Sequence, residues 1–297
     1  MVKDWIKAFR LRTLPLAFSS IITGTALAFD EFDPIIFSLA LATTLFLQVL
    51  SNLANDYGDA EKGTDNENRV GPDRAIQSGA ISKSQMKTAI IIFVILSFSF
   101  GVSLVAYSMR DSHIGYTLSL IVTGVLCIVA AIKYTAGKKA YGYRGLGDVF
   151  VFIFFGLVGV LGSKFLYATS FELSSFLPAM TIGLFSAAVL NLNNMRDWEN
   201  DKASQKNTLV VKVGLPKAKK YHFTILIIGI TSSVAYAIQH EFRLIELIFV
   251  LAFTPVVLHL RIVSKINDNP AEFDPELKKV ALSTFLFSIL FLVSALI

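Results

Sequence analysis

Nine long apolar runs constrain this chain more than any other feature: Leu14 to Phe29, Pro34 to Ala54, Thr88 to Met109, Ile114 to Ile132, Gly147 to Leu166, Phe176 to Leu192, Tyr221 to Ile238, Leu244 to Val263, and Val280 to Ile297. A helix needs about 20 apolar residues to cross the hydrocarbon core of a bilayer. In lipid every backbone N–H and C=O must find its partner inside the protein, which open sheets do not allow. The runs therefore predict an all-α multi-pass membrane protein with nine transmembrane helices, read as a single domain over residues 1–297. The bulk composition agrees, since only 16% of the 297 residues are charged, against about 25% in soluble domains.

Lysine and arginine set the orientation. All but Arg110, Lys164 and Arg243 of the 27 basic residues fall in the N-terminal segment or in the loops after runs 2, 4, 6 and 8. That side is expected to be cytoplasmic, together with the N-terminus. The net charge of +5 follows from this asymmetry and points to no nucleic-acid partner. The first residues, MVKDWIKAFRLRTLP, read as a basic amphipathic helix lying at the interface, with Trp5, Ile6 and Phe9 near one face. Cys127 has no partner for a disulfide and reads as a packing residue. His113, His222, His240 and His259 are scattered over different segments, with no common face to suggest a catalytic or metal set.

The loops on the opposite side are short and bland. Two loops on the basic side, residues 55–87 and 193–220, are not. If run 2 continues for one or two helical turns, Asn52, Asn55, Asp56 and Asp59 recur at three and four residues and share a face. Asn193, Asp197 and Asp201 repeat the arrangement after run 6. One such cluster would be read as interface solvation; two on the same side of the membrane suggest facing halves of a site. Paired carboxylates one turn apart suit Mg²⁺, which also takes phosphate oxygens and water. Arg69 and Arg74 follow the first acid pair, Lys206 and Thr208 the second, and Lys133, Lys138, Lys139 and Arg144 come from the loop after run 4. Acidic faces among basic loops fit an anion bound through metal, with arginine forking onto its oxygens, and a diphosphate meets that description. Phe150, Phe152, Phe154 and Phe155, just after Asp148, offer ring faces to an apolar tail or to a developing cation.

These residues resemble the UbiA-type intramembrane prenyltransferases. The NDxxD signature matches Asn55, Asp56 and Asp59, and DxxxD matches Asp197 and Asp201. RTLP (Arg12 to Pro15), NDYGD with Gly63 and Asp65, RVGPDR before SGAIS, YGYRGLGDVFVFIFFG and NNMRDWEND are similar to the branch that prenylates 1,4-dihydroxy-2-naphthoate in menaquinone synthesis. The resemblance implies nine helices around a central cavity, in a bacterial inner membrane, with the site toward the cytoplasm. It implies Mg²⁺ at the catalytic residues Asp56, Asp59, Asp197 and Asp201, with Asn52 and Asp65 as further ligands. Arg69, Arg74, Lys133 and Lys206 would bind the diphosphate of a polyprenyl diphosphate. Asn55, Asn194, Arg144 and Asp148 would belong to the aromatic-acceptor pocket. No obligate protein partner is implied. Two departures stand out: Gly63 where many members carry Asp, and Gln205-Lys206 where relatives often have Gly-Lys. Related enzymes use 4-hydroxybenzoate or homogentisate as acceptor. A divalent-cation transporter would need acids at several depths, and the far-side loops supply no comparable pair.

Overall fold

The computed structural model describes residues 2–66, 70–267 and 269–297 and is helical, with no strand among the described residues. Among the described residues, eight helices are long and apolar enough to cross a membrane: Pro34–Glu61, Lys83–Ser108, Ile114–Lys133, Gly147–Ala168, Leu173–Arg196, Leu215–Gln239, Leu244–Val263 and Pro270–Leu296. The first apolar run differs from the expected full-length span. It forms a 13-residue helix, Leu14–Ala26, roughly 20 Å long at 1.5 Å per residue, led in by a 3₁₀ turn at Leu11–Thr13. Its Ser19, Thr23 and Thr25 are fully buried because it packs inside the bundle, against the Gly147–Ala168 and C-terminal helices. Ser19 Oγ donates to the Pro15 carbonyl at 2.9 Å, and Thr25 meets the Tyr167 hydroxyl at 3.1 Å.

Local signals set the helix starts. Asp33 accepts from the amides of Ile35 and Ile36, and Pro34 occupies the first turn, where a missing N–H costs nothing. Ser82 and Gln85 cap each other reciprocally at the head of Lys83–Ser108. Pro34–Glu61 continues past its apolar part, as the spacing predicts, and carries Asn55, Asp56 and Asp59 on its final turns. The N-terminal helix, Val2–Phe9, lays Trp5 and Phe9 on a small cluster with Leu53, Met86 and Phe93.

The two halves are packed differently. Phe185, Phe249, Phe253, Phe287 and Phe291 build a dense aromatic core in the C-terminal half, with Phe249 edge-on to Phe287 at 5.7 Å. Lys83–Ser108 and Ile114–Lys133 instead turn Ile91, Ile95, Leu118, Val122 and Leu126 outward, as lipid-facing helices do. Within the C-terminal half, Gly156 and Gly183 let two helices cross backbone to backbone. A Cβ on Gly156 would lie 2.7 Å from the Ala179 carbonyl oxygen and 2.8 Å from Gly183 Cα. Neither atom can yield as a side chain would, so Gly156→Ala is expected to cost about 1–3 kcal/mol. Thermal unfolding in detergent checks this; a wild-type midpoint would mean that the crossing relaxes freely.

The histidines require a correction. His222 and His259, 37 residues apart, are fully buried and meet Nε2 to Nε2 at 2.7 Å. His259 Nδ1 is 2.7 Å from Glu276, which also accepts from Lys279 at 2.7 Å. The short link from Gln239 to Leu244 folds two helices face to face, a juxtaposition that separation along the chain conceals.

Candidate active site

The first arm of the site is the end of Pro34–Glu61 with the loop that follows. Asp56 is 1% exposed, and its carboxylate accepts from the backbone amides of Ala75 at 3.1 Å and Ile76 at 3.4 Å. Asp59, a turn later, accepts from the Tyr143 hydroxyl at 2.7 Å through Oδ1. Arg74 bridges two acids: Nη2 stands 3.9 Å from Asp59 Oδ2, and Nε 3.4 Å from Asp65 Oδ1. The helix can dock here because Gly58 has no side chain. A Cβ there would lie 2.6 Å from Thr135 Oγ1, and that hydroxyl instead donates to the Ala54 carbonyl at 3.0 Å. Lys62 donates to the Thr135 carbonyl at 2.7 Å, and its Nζ lies 3.7 Å from the centre of the Tyr143 ring.

The second arm begins where Leu173–Arg196 ends. Arg196 is buried, and it forks onto Asp197 through Nε at 2.9 Å and Nη2 at 2.8 Å. It also reaches Asp274 at 2.5 Å and Asn193 at 2.8 Å. A short helix, Trp198–Ala203, carries Asp201, and the chain then reverses at Gln205. Gln205 has φ +56°, the left-handed region that costs a side-chain-bearing residue roughly 1–2 kcal/mol and glycine little. That is the physical reason for the glycine expected at this place, and Gln205 holds the same turn. The reversal brings Lys206 Nζ to 3.7 Å from both Asp59 Oδ1 and Asp201 Oδ1. Asn200 fastens the arms together by donating to the Thr64 carbonyl at 2.9 Å.

Charge is balanced inside this cluster. Burial opposes the charge on Lys206, but the Asp59 and Asp201 carboxylates outweigh it and raise its pKa above the ordinary lysine value. Burial, then Asp59, raises the Tyr143 phenol above the usual tyrosine range, so it stays protonated at neutral pH. Burial lowers Lys62, with Asp59 opposing.

Beside the cluster, a cavity of about 380 Å³ runs into the bundle. Asn52 and Asn55 stand at its polar end, while Phe150, Phe154, Val158 and Leu166 are among its apolar walls. Tyr141 stacks on Phe150 at 4.1 Å and meets Tyr134 edge-on at 5.3 Å. Cys127 is in the wall too, which refines its expected packing role.

Among the described residues, no three acidic, histidine or cysteine side chains converge into a ready-made metal cage. The donor set is instead made of carboxylate pairs held together by protein cations: Asp59 with Asp201 through Lys206, and Asp59 with Asp65 through Arg74. Hard oxygen pairs of this kind fit Mg²⁺, which commonly takes one or two carboxylates and completes its shell with water and substrate phosphate.

Residues 17–293 match the model of the UbiA prenyltransferase family. The chain belongs to that family. It is 41% identical to the 1,4-dihydroxy-2-naphthoate octaprenyltransferase of Haemophilus influenzae, covering 100% of this chain and 96% of the relative. It is 43% identical to the enzyme of the same name from Escherichia coli, covering 97% and 93%. A UbiA homolog from Archaeoglobus fulgidus, solved bound to DMAPP and Mg²⁺, shares the fold at a TM-score of 0.72 and 15% identity, with 99% of this chain and 98% of that one covered.

For a UbiA-family chain, the expected site residues divide into two groups. Asp59, Asp65, Asp201, Arg74 and Lys206 come together directly. Asp56 and Asp197 lie in the two arms, but Asp56 is bound to the 75–76 amides and Asp197 to Arg196. Asn52 donates to the Phe9 carbonyl at 3.0 Å and to Thr13 at 3.1 Å, so its amide nitrogen anchors the N-terminal segment. Asn55 lines the cavity, its side-chain oxygen 3.2 Å from Thr135 Oγ1. Asn194 is buried in the last turn of its helix, away from the cavity wall. Lys133 and Arg144 are exposed and do not line the cavity. Asp148 is buried outside that wall, with the Tyr221 hydroxyl as its partner. Arg69 lies outside the described residues. The aromatic wall of Tyr134, Tyr141 and Phe150 thus stands where Arg144 and Asp148 were expected. Tyr143 and Arg196 carry no role in the sequence reading. Tyr143 lies in the YGYRGLGD segment and Arg196 in NNMRDWEND, neither with a role of its own.

Proposed function

We propose that this chain transfers a polyprenyl group from polyprenyl diphosphate to 1,4-dihydroxy-2-naphthoate with loss of CO₂, forming demethylmenaquinol. The observation that carries the reading is the meeting of two aspartate arms through Lys206, on the same helix end whose Asn52 and Asn55 line a mostly apolar cavity. A substrate with a charged head and a long apolar tail has that shape. The near full-length identity to naphthoate octaprenyltransferases favours this acceptor over 4-hydroxybenzoate or homogentisate. The acid pairs on one side of the bundle, with no counterpart in the far-side loops, speak against cation transport.

Asp56, Asp59, Asp197 and Asp201, with Asp65 and Asn52 beside them, would hold Mg²⁺, whose charge would make the donor diphosphate a better leaving group. Arg74 and Lys206 add fixed positive charge where the leaving oxygen becomes negative, with little reorganisation. The allylic C–O bond breaks, and diphosphate departs with the electron pair. Tyr134, Tyr141 and Phe150 offer ring faces to the allylic cation, and the apolar walls keep water from capturing it. The acceptor ring attacks through the carbon bearing its carboxylate, forming the new C–C bond. Loss of CO₂ returns its bonding electrons to the ring and restores aromaticity. The acids, placed on the side rich in lysine and arginine, would face the cytoplasm from a bacterial inner membrane, with nine crossings if Leu14–Ala26 is counted among them.

Membranes containing the chain are expected to form prenylated product from labelled polyprenyl diphosphate and to release labelled CO₂ from carboxyl-labelled dihydroxynaphthoate. EDTA should abolish both, and added Mg²⁺ should restore them. Product without CO₂ release, or preference for 4-hydroxybenzoate in a competition assay, would replace this acceptor assignment.

A further inference from the structure

Tyr143 belongs to neither aspartate motif, yet it touches Asp59, Thr64, Lys62 and Lys206. Its loop follows Ile114–Lys133, and the Gly58–Thr135 contact presses that loop against the first arm. Its hydroxyl lies 2.7 Å from Asp59 Oδ1 and 2.5 Å from Thr64 Oγ1. An ionised carboxylate only accepts, so the phenol proton goes to Asp59 and the Thr64 hydroxyl donates to the phenol oxygen. The result is a relay of donors, Thr64 to Tyr143 to Asp59. The ring has a second use: Lys62 Nζ stands 3.7 Å and Lys206 Nζ 5.4 Å from its centre. Both ammonium groups fall within reach of the ring quadrupole, which helps to seat Lys206 between Asp59 and Asp201.

We infer that Tyr143 is a positioning residue that presents Asp59 to the divalent cation: its phenol fixes the carboxylate through Oδ1, and its ring seats Lys206. The inference rests on the reading of Asp59 as a metal ligand. Outer hydrogen bonds of this kind orient a ligating carboxylate, and their loss commonly costs 10–100-fold in metal affinity. Hydroxyl and ring make separable predictions, because Tyr143→Phe removes only the proton donor while Tyr143→Leu also removes the ring.

The test uses the full-length chain in detergent, with Mn²⁺ titrated by electron paramagnetic resonance without substrate. In parallel, the Mg²⁺ concentration giving half-maximal prenyl transfer is measured. Tyr143→Phe is expected to weaken Mn²⁺ binding about 10–100-fold and to raise the Mg²⁺ half-saturation equally, with kcat recovering at saturating Mg²⁺. Tyr143→Leu should show the same metal defect and a raised KM for the diphosphate donor. A merely structural role would lower kcat at every Mg²⁺ concentration and leave half-saturation alone; that result overturns the inference. Asp59→Asn is run beside them. If it loses metal affinity while Tyr143→Phe binds like wild type, the positioning role is wrong and Asp59 remains a ligand. If Asp59→Asn also binds like wild type, the underlying reading fails. Should Tyr143→Phe not fold, Thr64→Val, which removes only the donor behind the phenol, decides. Weaker metal binding supports the relay, and wild-type binding overturns it.

Discussion

Asp59→Asn is expected to cut prenyl transfer on the order of 10²–10³-fold at saturating Mg²⁺, the scale of losing one preorganised electrostatic element from an active site. Asp59 earns this position by its contacts. Its Oδ1 accepts from Tyr143 and faces Lys206, its Oδ2 faces Arg74, and it is 2% exposed. Asparagine keeps the volume but removes the charge that holds these cations together, and it offers a metal a neutral oxygen instead of a carboxylate. Asp201→Asn should act in the same direction, since Lys206 is equidistant from the two acids. The double replacement should cost less than the product of the single effects, because the residues share one network. Initial rates with labelled donor measure all three; an Asp59→Asn rate within a few-fold of wild type would remove Asp59 from the mechanism.

The second large effect concerns folding. Arg196→Met is expected to destabilise the chain by about 3–5 kcal/mol, the range for breaking a buried ion pair and stranding one partner. The Arg196 and Asp197 side chains are 3% and 5% exposed, so Asp197 would lose its two-point guanidinium partner while staying buried at the head of the second arm. Asp274 is 46% exposed, and water screens its share of the loss. Arg196→Lys keeps the charge but cannot form the two-point fork, and should fall between the two. Unfolding midpoints in detergent give the order wild type, Lys, Met. A Met variant as stable as wild type would show that Asp197 is neutralised by another group.

Much of the site was legible in the chain, for local reasons. Asn55, Asp56 and Asp59 were readable as one helix face because a 3.6-residue period is written in spacing, and Pro34–Glu61 does continue through them. Arg74 and Lys206 were readable because each follows an acid pair closely enough to fold back on it. Other features depended on distant segments. The run from Leu14 looked like its neighbours in hydropathy, yet it forms a 13-residue helix whose Ser19, Thr23 and Thr25 are buried by other helices. His222 and His259 looked unrelated until one short turn brought their helices together. Arg144 and Asp148 had suitable chemistry in a suitable segment, but the turn at Gly145, φ +73°, leaves Arg144 exposed while Asp148 pairs with Tyr221.

The amino-acid sequence by itself determined the solvent, the helical class and the charged side of this protein, along with the two acidic faces. These follow from hydropathy and periodicity within single segments. The tertiary structure alone decided which distant groups meet: Asp59 with Asp201 through Lys206, Arg196 with Asp274, and Asp59 with Tyr143. Side chains this far apart in the chain come within 4 Å only when helices dock at particular points. Here the docking points are sites such as Gly58 on Thr135 and Gly156 on Gly183, where the absence of a side chain lets two backbones touch.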